Sequence, residues 1–165
     1  MYNSPVESTN RKEPPVKRLL ALTVLLASAA MAANGLGLGV IVGEPTGLSA
    51  KYWLGDRTAV DAAAAWSFWG NYAALNVHAD LLVHHPEWLK VPSGELPVYY
   101  GIGGRLKLAS AGENMRLGAR VPLGIEYIFE ELPVGLFLET ALVVDVIPSV
   151  GLWGHGAAGA RYYFR

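Results

Sequence analysis

From Gly35 onward, apolar and polar positions alternate along the chain with a period of two. That period marks strands with one buried face, not helices, whose apolar positions recur every three to four residues. The alternation predicts strands over 35–43, 47–54, 58–68, 72–84, 96–108, 115–129, 134–145 and 151–164. Turn chemistry separates most of them: Glu44-Pro45-Thr46-Gly47, Gly55-Asp56-Arg57, Gly70-Asn71, Ala111-Gly112-Glu113-Asn114 and Glu130-Glu131-Leu132-Pro133. Links this short join antiparallel neighbours, because a parallel crossover needs about a dozen residues. The predicted fold is all-β: an antiparallel up-and-down meander of about eight strands that closes into a barrel. One longer connection, near 85–95, carries Pro86, Pro92, Ser93 and Gly94. Pro122 falls inside a strand, where it has no N–H for the ladder, so a bulge is expected there.

The two faces differ sharply. One carries Leu38, Val40, Leu48, Ala50, Val60, Ala62, Ala64, Leu81, Ile102, Leu123, Leu138 and Leu142, and no charged residue in any strand. The other carries Lys51, Asp61, Asp80, Arg105, Lys107, Arg116, Arg120, Glu126, Glu139, Asp145 and Arg161, with Asn76, His78, His84 and His155 among many Gly and Ala. A membrane barrel turns the apolar face to lipid. A soluble barrel turns it inward around an apolar ligand. Small residues on the polar face (Gly37, Gly39, Ala63, Ala65, Gly101, Gly103, Gly118, Ala157, Gly159) suit a narrow, filled lumen. Aromatic residues of the apolar face (Trp66, Phe68, Tyr127, Phe129, Tyr162, Phe164) gather towards strand ends, as interfacial girdles do. The expected architecture is therefore a transmembrane barrel with a lumen charge network, six basic residues against five acidic. Such near-balance predicts paired charges that plug the lumen, since an unpaired charge away from bulk water is costly.

Composition agrees. Hydrophobic residues make up 52% of the 165-residue chain and charged residues 16%, against about a quarter in soluble proteins. No apolar run after the N-terminus reaches the length of a membrane-spanning helix. The formal net charge is −1 and there is no basic tract, which argues against nucleic acid as a partner. With no cysteine, disulfides, thiolate metal sites and a lipidated leader junction are excluded.

The N-terminus reads as a leader. Lys17-Arg18 precedes an apolar run from Leu19 to Ala30, and Ala30-Met31-Ala32 is a small-x-small pattern. This order predicts a secretory signal peptide. Residues 1–33 form the N-terminal extension and signal, cleaved near Ala32 or Ala33, and 34–165 form the barrel.

The C-terminal run Gly159-Ala160-Arg161-Tyr162-Tyr163-Phe164 resembles the terminal strand of bacterial outer-membrane barrels, with Arg165 as a departure after the aromatic. With the leader and strand count, the mature chain resembles the small OmpA-like and OmpX-like barrels. Gly43-Glu44-Pro45-Thr46-Gly47-Leu48 with Lys51-Tyr52-Trp53 is similar to a family of uncharacterised small outer-membrane barrels. The resemblance implies residence in the outer membrane of a Gram-negative cell, lipid as surroundings and the barrel-assembly machinery as a partner in biogenesis; the sequence does not fix the oligomeric state, and a monomer is the expectation. It carries architecture and not activity.

No catalytic constellation, cofactor or metal is expected. His78, Asp80 and His84 share a strand face, but lumen hydrogen bonding outweighs metal binding. Some eight-stranded outer-membrane barrels modify lipid A with an outward Ser–His pair. Here there is no H-x-S, and Ser149 near His155 is the closest approach. Gly101-Ile102-Gly103-Gly104 lies within a strand with no helix after it, unlike a phosphate loop. The expectation is a non-enzymatic, envelope-structural or surface-contact protein. The alternatives are a lipid A-modifying barrel enzyme and a soluble periplasmic lipid-binding barrel.

Overall fold

A computed structural model describes residues 35–43, 46–67, 74–109 and 115–164. The leader, its cleavage site, Phe68, Arg165, Glu44-Pro45, Gly70-Asn71 and the 111–114 turn lie outside the described residues. Eight strands follow one another: β1 Leu36–Gly43, β2 Thr46–Trp53, β3 Thr58–Ser67, β4 Ala74–His85, β5 Val98–Ala109, β6 Arg116–Ile128, β7 Val134–Ile147 and β8 Gly151–Tyr163. Each pairs antiparallel with the next, and β1 pairs with β8, so the sheet closes. All eight predicted strands are present, with ends displaced by no more than about a turn. Closure leaves no unpaired sheet edge.

The closing seam is continuous from Gly37↔Tyr163 to Gly43↔Ala157. Its glycines are required by close approach. A Cβ on Gly39 would meet the Ala160 carbonyl across the seam, and one on Gly37 would meet the Tyr163 ring.

Pro122 corrects one expectation. It pairs in register with Ala141 of β7, and the ladder to β5 holds the same register from Tyr100↔Leu123 to Gly103↔Arg120. Only the pairings opposite Gly101 and Ile102 are lost, because the proline has no N–H to give. The register shift of β6 against β7 lies instead at Leu117 and Gly118, which pair with Ile147 and Asp145, so that Val146 of β7 is the extra residue.

The wall has the predicted two faces. Leu138 is 57% exposed, while Phe137 and Glu139 on either side are 3% and 6% exposed. A strand turns successive side chains to opposite faces, so one face of each strand lines the lumen and the other forms the outer wall. Val40, Leu48, Leu81, Ile102, Leu123 and Leu142 stand exposed on that wall. Every charged residue within the described strands has inward parity.

The two ends differ. Gly35 and Phe164 share one end, where Gly35 N–H donates to the Phe164 carbonyl at 3.3 Å. The β2–β3, β4–β5 and β6–β7 connections lie at this same terminal end. The long β4–β5 connection folds back on the barrel there. Glu95 bridges Ile128, and the Tyr127 hydroxyl donates to the Ser93 carbonyl at 2.9 Å. Trp88 stacks on His85, with ring centres 4.2 Å apart, beside the outward Tyr100. Tyr127 meets Phe129 edge to face, as Tyr162 meets Phe164. These rings, with the half-exposed Tyr52, give the terminal end an aromatic belt.

Candidate functional site: the charged lumen

The lumen is built from the inward residues of all eight strands, and its charges meet both between near strands and across the barrel. Near the terminal end, the Lys51 ammonium of β2 pairs with the Glu126 carboxylate of β6, both fully buried. The Tyr163 hydroxyl donates to the other Glu126 oxygen at 2.6 Å. Next, Arg161 of β8 donates from one Nη to both oxygens of Asp61 on β3, at 2.8 and 2.9 Å, and from Nε to Ser49 at 2.9 Å. Its guanidinium also lies 3.8 Å from the centre of the Phe137 ring, close enough for a cation–π contact.

Deeper in, Arg120 of β6 bridges Asp80 of β4 and Glu139 of β7. The Tyr99 hydroxyl donates to the second Glu139 oxygen at 2.9 Å. Beyond them, Arg105 of β5 grips Asp145 of β7 at 2.6 and 2.8 Å and reaches the His155 ring at 3.0 Å. Nine of the eleven charged residues thus lie in ion pairs.

One register relation shows why these partners are needed. Asp61 and Asp80 sit directly opposite each other on β3 and β4, an arrangement that destabilises a ladder. Arg161 neutralises the first from β8 and Arg120 the second from β6. Arg161 reaches Asp61 from three strands away around the closed sheet, while Arg120 reaches Asp80 over the single intervening strand β5, at Gly103.

Lys107 and Arg116 stand apart. They are cross-strand partners on β5 and β6, at the end of the lumen far from the termini. Neither is paired with a carboxylate among the described residues. Arg116 instead lies over the Trp153 ring, 5.4 Å from its centre.

The lumen also holds large residues that the charge pattern alone does not reveal. Tyr99, Phe137 and Tyr163 are buried inside. Each sits opposite a glycine on the neighbouring strand: Tyr99↔Gly124, Phe137↔Gly159, Gly37↔Tyr163. A Cβ on any of these glycines would run into the facing ring. The glycines therefore make room for flat rings lying across the sheet. Parity is the signal that finds these aromatics: Tyr163 shares it with Arg161, Phe137 with Glu139, and Tyr99 with Arg105.

The histidines do not gather. Asp80 belongs to Arg120, His84 lies against Trp53 and Tyr99, and the buried His78 sits opposite Arg105 on β5. Among the described residues, no group of three or more His, Asp or Glu is placed to hold a metal. His155 is committed to Arg105 inside the barrel, while Ser149 is exposed in the turn between β7 and β8.

No protein-family model matches the sequence. No curated protein matches it either. Solved structures do. The N-terminal β-barrel domain of Pseudomonas aeruginosa OprF superposes with a TM-score of 0.57 at 15% identity, covering 79% of this chain and 98% of that one. Neisserial surface protein A gives a TM-score of 0.49 at 18% identity, covering 78% of this chain and 93% of that one. The likeness to the OprF barrel is one of fold, and nearly the whole of that domain takes part. The chain has the fold of the small outer-membrane β-barrels, closed by eight antiparallel strands.

Proposed function

We propose that this protein is an integral, non-enzymatic barrel of a bacterial outer membrane, exported by a cleaved leader and closed to ion flow by its paired lumen charges. Its role is then envelope-structural or one of surface contact, and the barrel-assembly machinery inserts it through its C-terminal strand. The observation that carries this reading is the inverted wall. Large apolar side chains stand exposed on the outside of every strand, while buried ion pairs fill the inside. In water such a wall would leave an apolar surface far beyond the few hundred Å² usual for a soluble monomer. In lipid it is the expected surface of a spanning barrel.

The same geometry speaks against a soluble lipid carrier, whose interior would be apolar. Here Arg161, Lys51, Glu126 and Asp61 occupy that interior, each with a partner. It also speaks against an outward Ser–His pair, because His155 points to Arg105.

Fractionation of cells expressing the full chain, followed by denaturing gels of boiled and unboiled envelope protein, tests the placement. The protein is expected in the outer-membrane fraction, with faster migration when unboiled. Planar-bilayer recording of the refolded barrel tests the plug. Little or no steady conductance is expected; large, steady channels would contradict it.

A further inference from the structure

Among the described residues, positive charge is left over at one place in the lumen. Lys107 and Arg116 face each other on adjacent strands at the end far from the termini, where like charges destabilise the ladder. The acidic counterpart of this problem, Asp61 opposite Asp80, is solved by one guanidinium for each carboxylate. No described carboxylate does the same here. The inward acid next along β7, Asp145, gives both its oxygens to Arg105.

Two features give the pair a fixed form. The extra residue Val146 of β7 faces Leu117 and Gly118 of β6, next to Arg116, and such a bulge increases the local twist of the pair. Arg116 is also held over the Trp153 ring, which remains 46% exposed at the mouth. The other cross-strand neighbour of Lys107 is the buried Asn76, whose amide can donate as well as accept.

We propose that Lys107 and Arg116, with Trp153 as platform, form an anion site at the far mouth of the lumen for a phosphate group. Side chains directly opposite on neighbouring strands have Cβ atoms about 4.5–5.5 Å apart, so both cations reach one tetrahedral anion. A phosphate monoester carries about −1.5 to −2 charges near neutral pH, which matches two adjacent cations. The guanidinium supplies a two-pronged donor and the ammonium a point charge. In the membrane placement proposed above, this mouth opens on the side opposite the termini. Either a lipid headgroup or a soluble phosphate could supply the group. Only the choice between those sources rests on that placement.

The test uses the refolded full barrel in a phosphate-free maltoside detergent, with inorganic phosphate followed by ³¹P NMR. Saturable binding is expected. Lys107→Gln and Arg116→Gln should each weaken it about tenfold or more, equivalent to losing one charge-assisted contact. Glu113→Gln removes the only carboxylate of the sequence segment 110–114 that links β5 to β6 and should leave binding unchanged or tighter. Phosphate should also raise the unfolding midpoint of the parent barrel and not that of the Lys107→Gln/Arg116→Gln double variant, which shows that the variants act at a folded site. Absence of saturable binding, or binding indifferent to both lysine and arginine variants, overturns the site. So does weaker binding in Glu113→Gln. Competition by phosphatidic acid in phosphatidylcholine vesicles would identify a lipid source, and its failure a soluble one. A barrel that binds phosphate yet folds fully without lipid or detergent would keep the site and sink the membrane placement.

Discussion

The inner and outer faces of a single strand follow opposite rules in this protein. On β3, Ala62 stands on the outer wall and Ala63 in the lumen, one peptide apart. Ala62 has Val60, Ala64 and Trp66 along its face, while Ala63 packs against Ile41 and Phe137. The outer face is uniform in chemistry and open in space. Any apolar residue suits it. The inner face is mixed in chemistry and closed in space, so each residue there is specified by a partner: a carboxylate by a guanidinium, a ring by a glycine. The contrast implies that the outside senses polarity and the inside senses both pairing and volume.

The largest break in that contrast should come from the lumen. Arg161→Ala would leave Asp61 without its bidentate partner and remove a cation beside Glu126, both buried. Removing one member of a buried pair costs about 3–5 kcal/mol. The double variant Asp61→Asn/Arg161→Gln removes both charges and should lose clearly less than Arg161→Ala alone. Urea unfolding in lipid vesicles measures each.

Next comes the outer wall. Ala62→Arg should cost about 2–4 kcal/mol, the usual effect of arginine facing lipid near the midplane. Ala62→Leu should be tolerated. The lumen neighbour reverses the order of chemistry and size. Ala63→Leu should lose about 1–3 kcal/mol through overpacking against Phe137 and Ile41. If both leucine variants behave alike, the two faces are not distinct in packing.

Smaller still is the glycine–ring fit. Gly159→Ala places a methyl in the Phe137 ring and should cost about 1–2 kcal/mol. Combined with Phe137→Leu, the cost should largely disappear, and a double-mutant cycle measures that coupling. The smallest effect is expected at Arg57 and Glu87, paired at 3.2 Å on the exposed terminal end. Arg57→Ala should change stability by no more than about 1 kcal/mol, and less in high salt.

Much of this architecture was legible because β-strand parity is strict. Once Asp61 and Arg161 marked the lumen face, each neighbour's direction followed from odd or even spacing. The strand count was legible because Gly55-Asp56-Arg57 and Glu130-Glu131-Leu132-Pro133 punctuate the alternation. Partner choice was not legible. Arg161 meets Asp61 across a hundred residues of chain, and nothing local encodes that meeting; it follows from barrel closure and register. Even a balanced list of charges hid their distribution, with Lys107 and Arg116 side by side at one mouth. Pro122 misled for a related reason. A missing N–H interrupts pairing on the β5 side without forcing an inserted residue, because Ala141 on the other side still holds the register.

The most direct test of the inverted wall is spin-label accessibility along β7 in vesicles. The chain has no cysteine, so Leu136→Cys, Leu138→Cys, Leu142→Cys and Val144→Cys can each carry a single label. The account predicts that every one of these labels collides with lipid-soluble oxygen and is shielded from a water-soluble relaxant, with oxygen contact greatest at mid-strand. Labels that meet the water-soluble relaxant throughout, on a protein that is folded, would show that this face does not lie in lipid and would contradict the account.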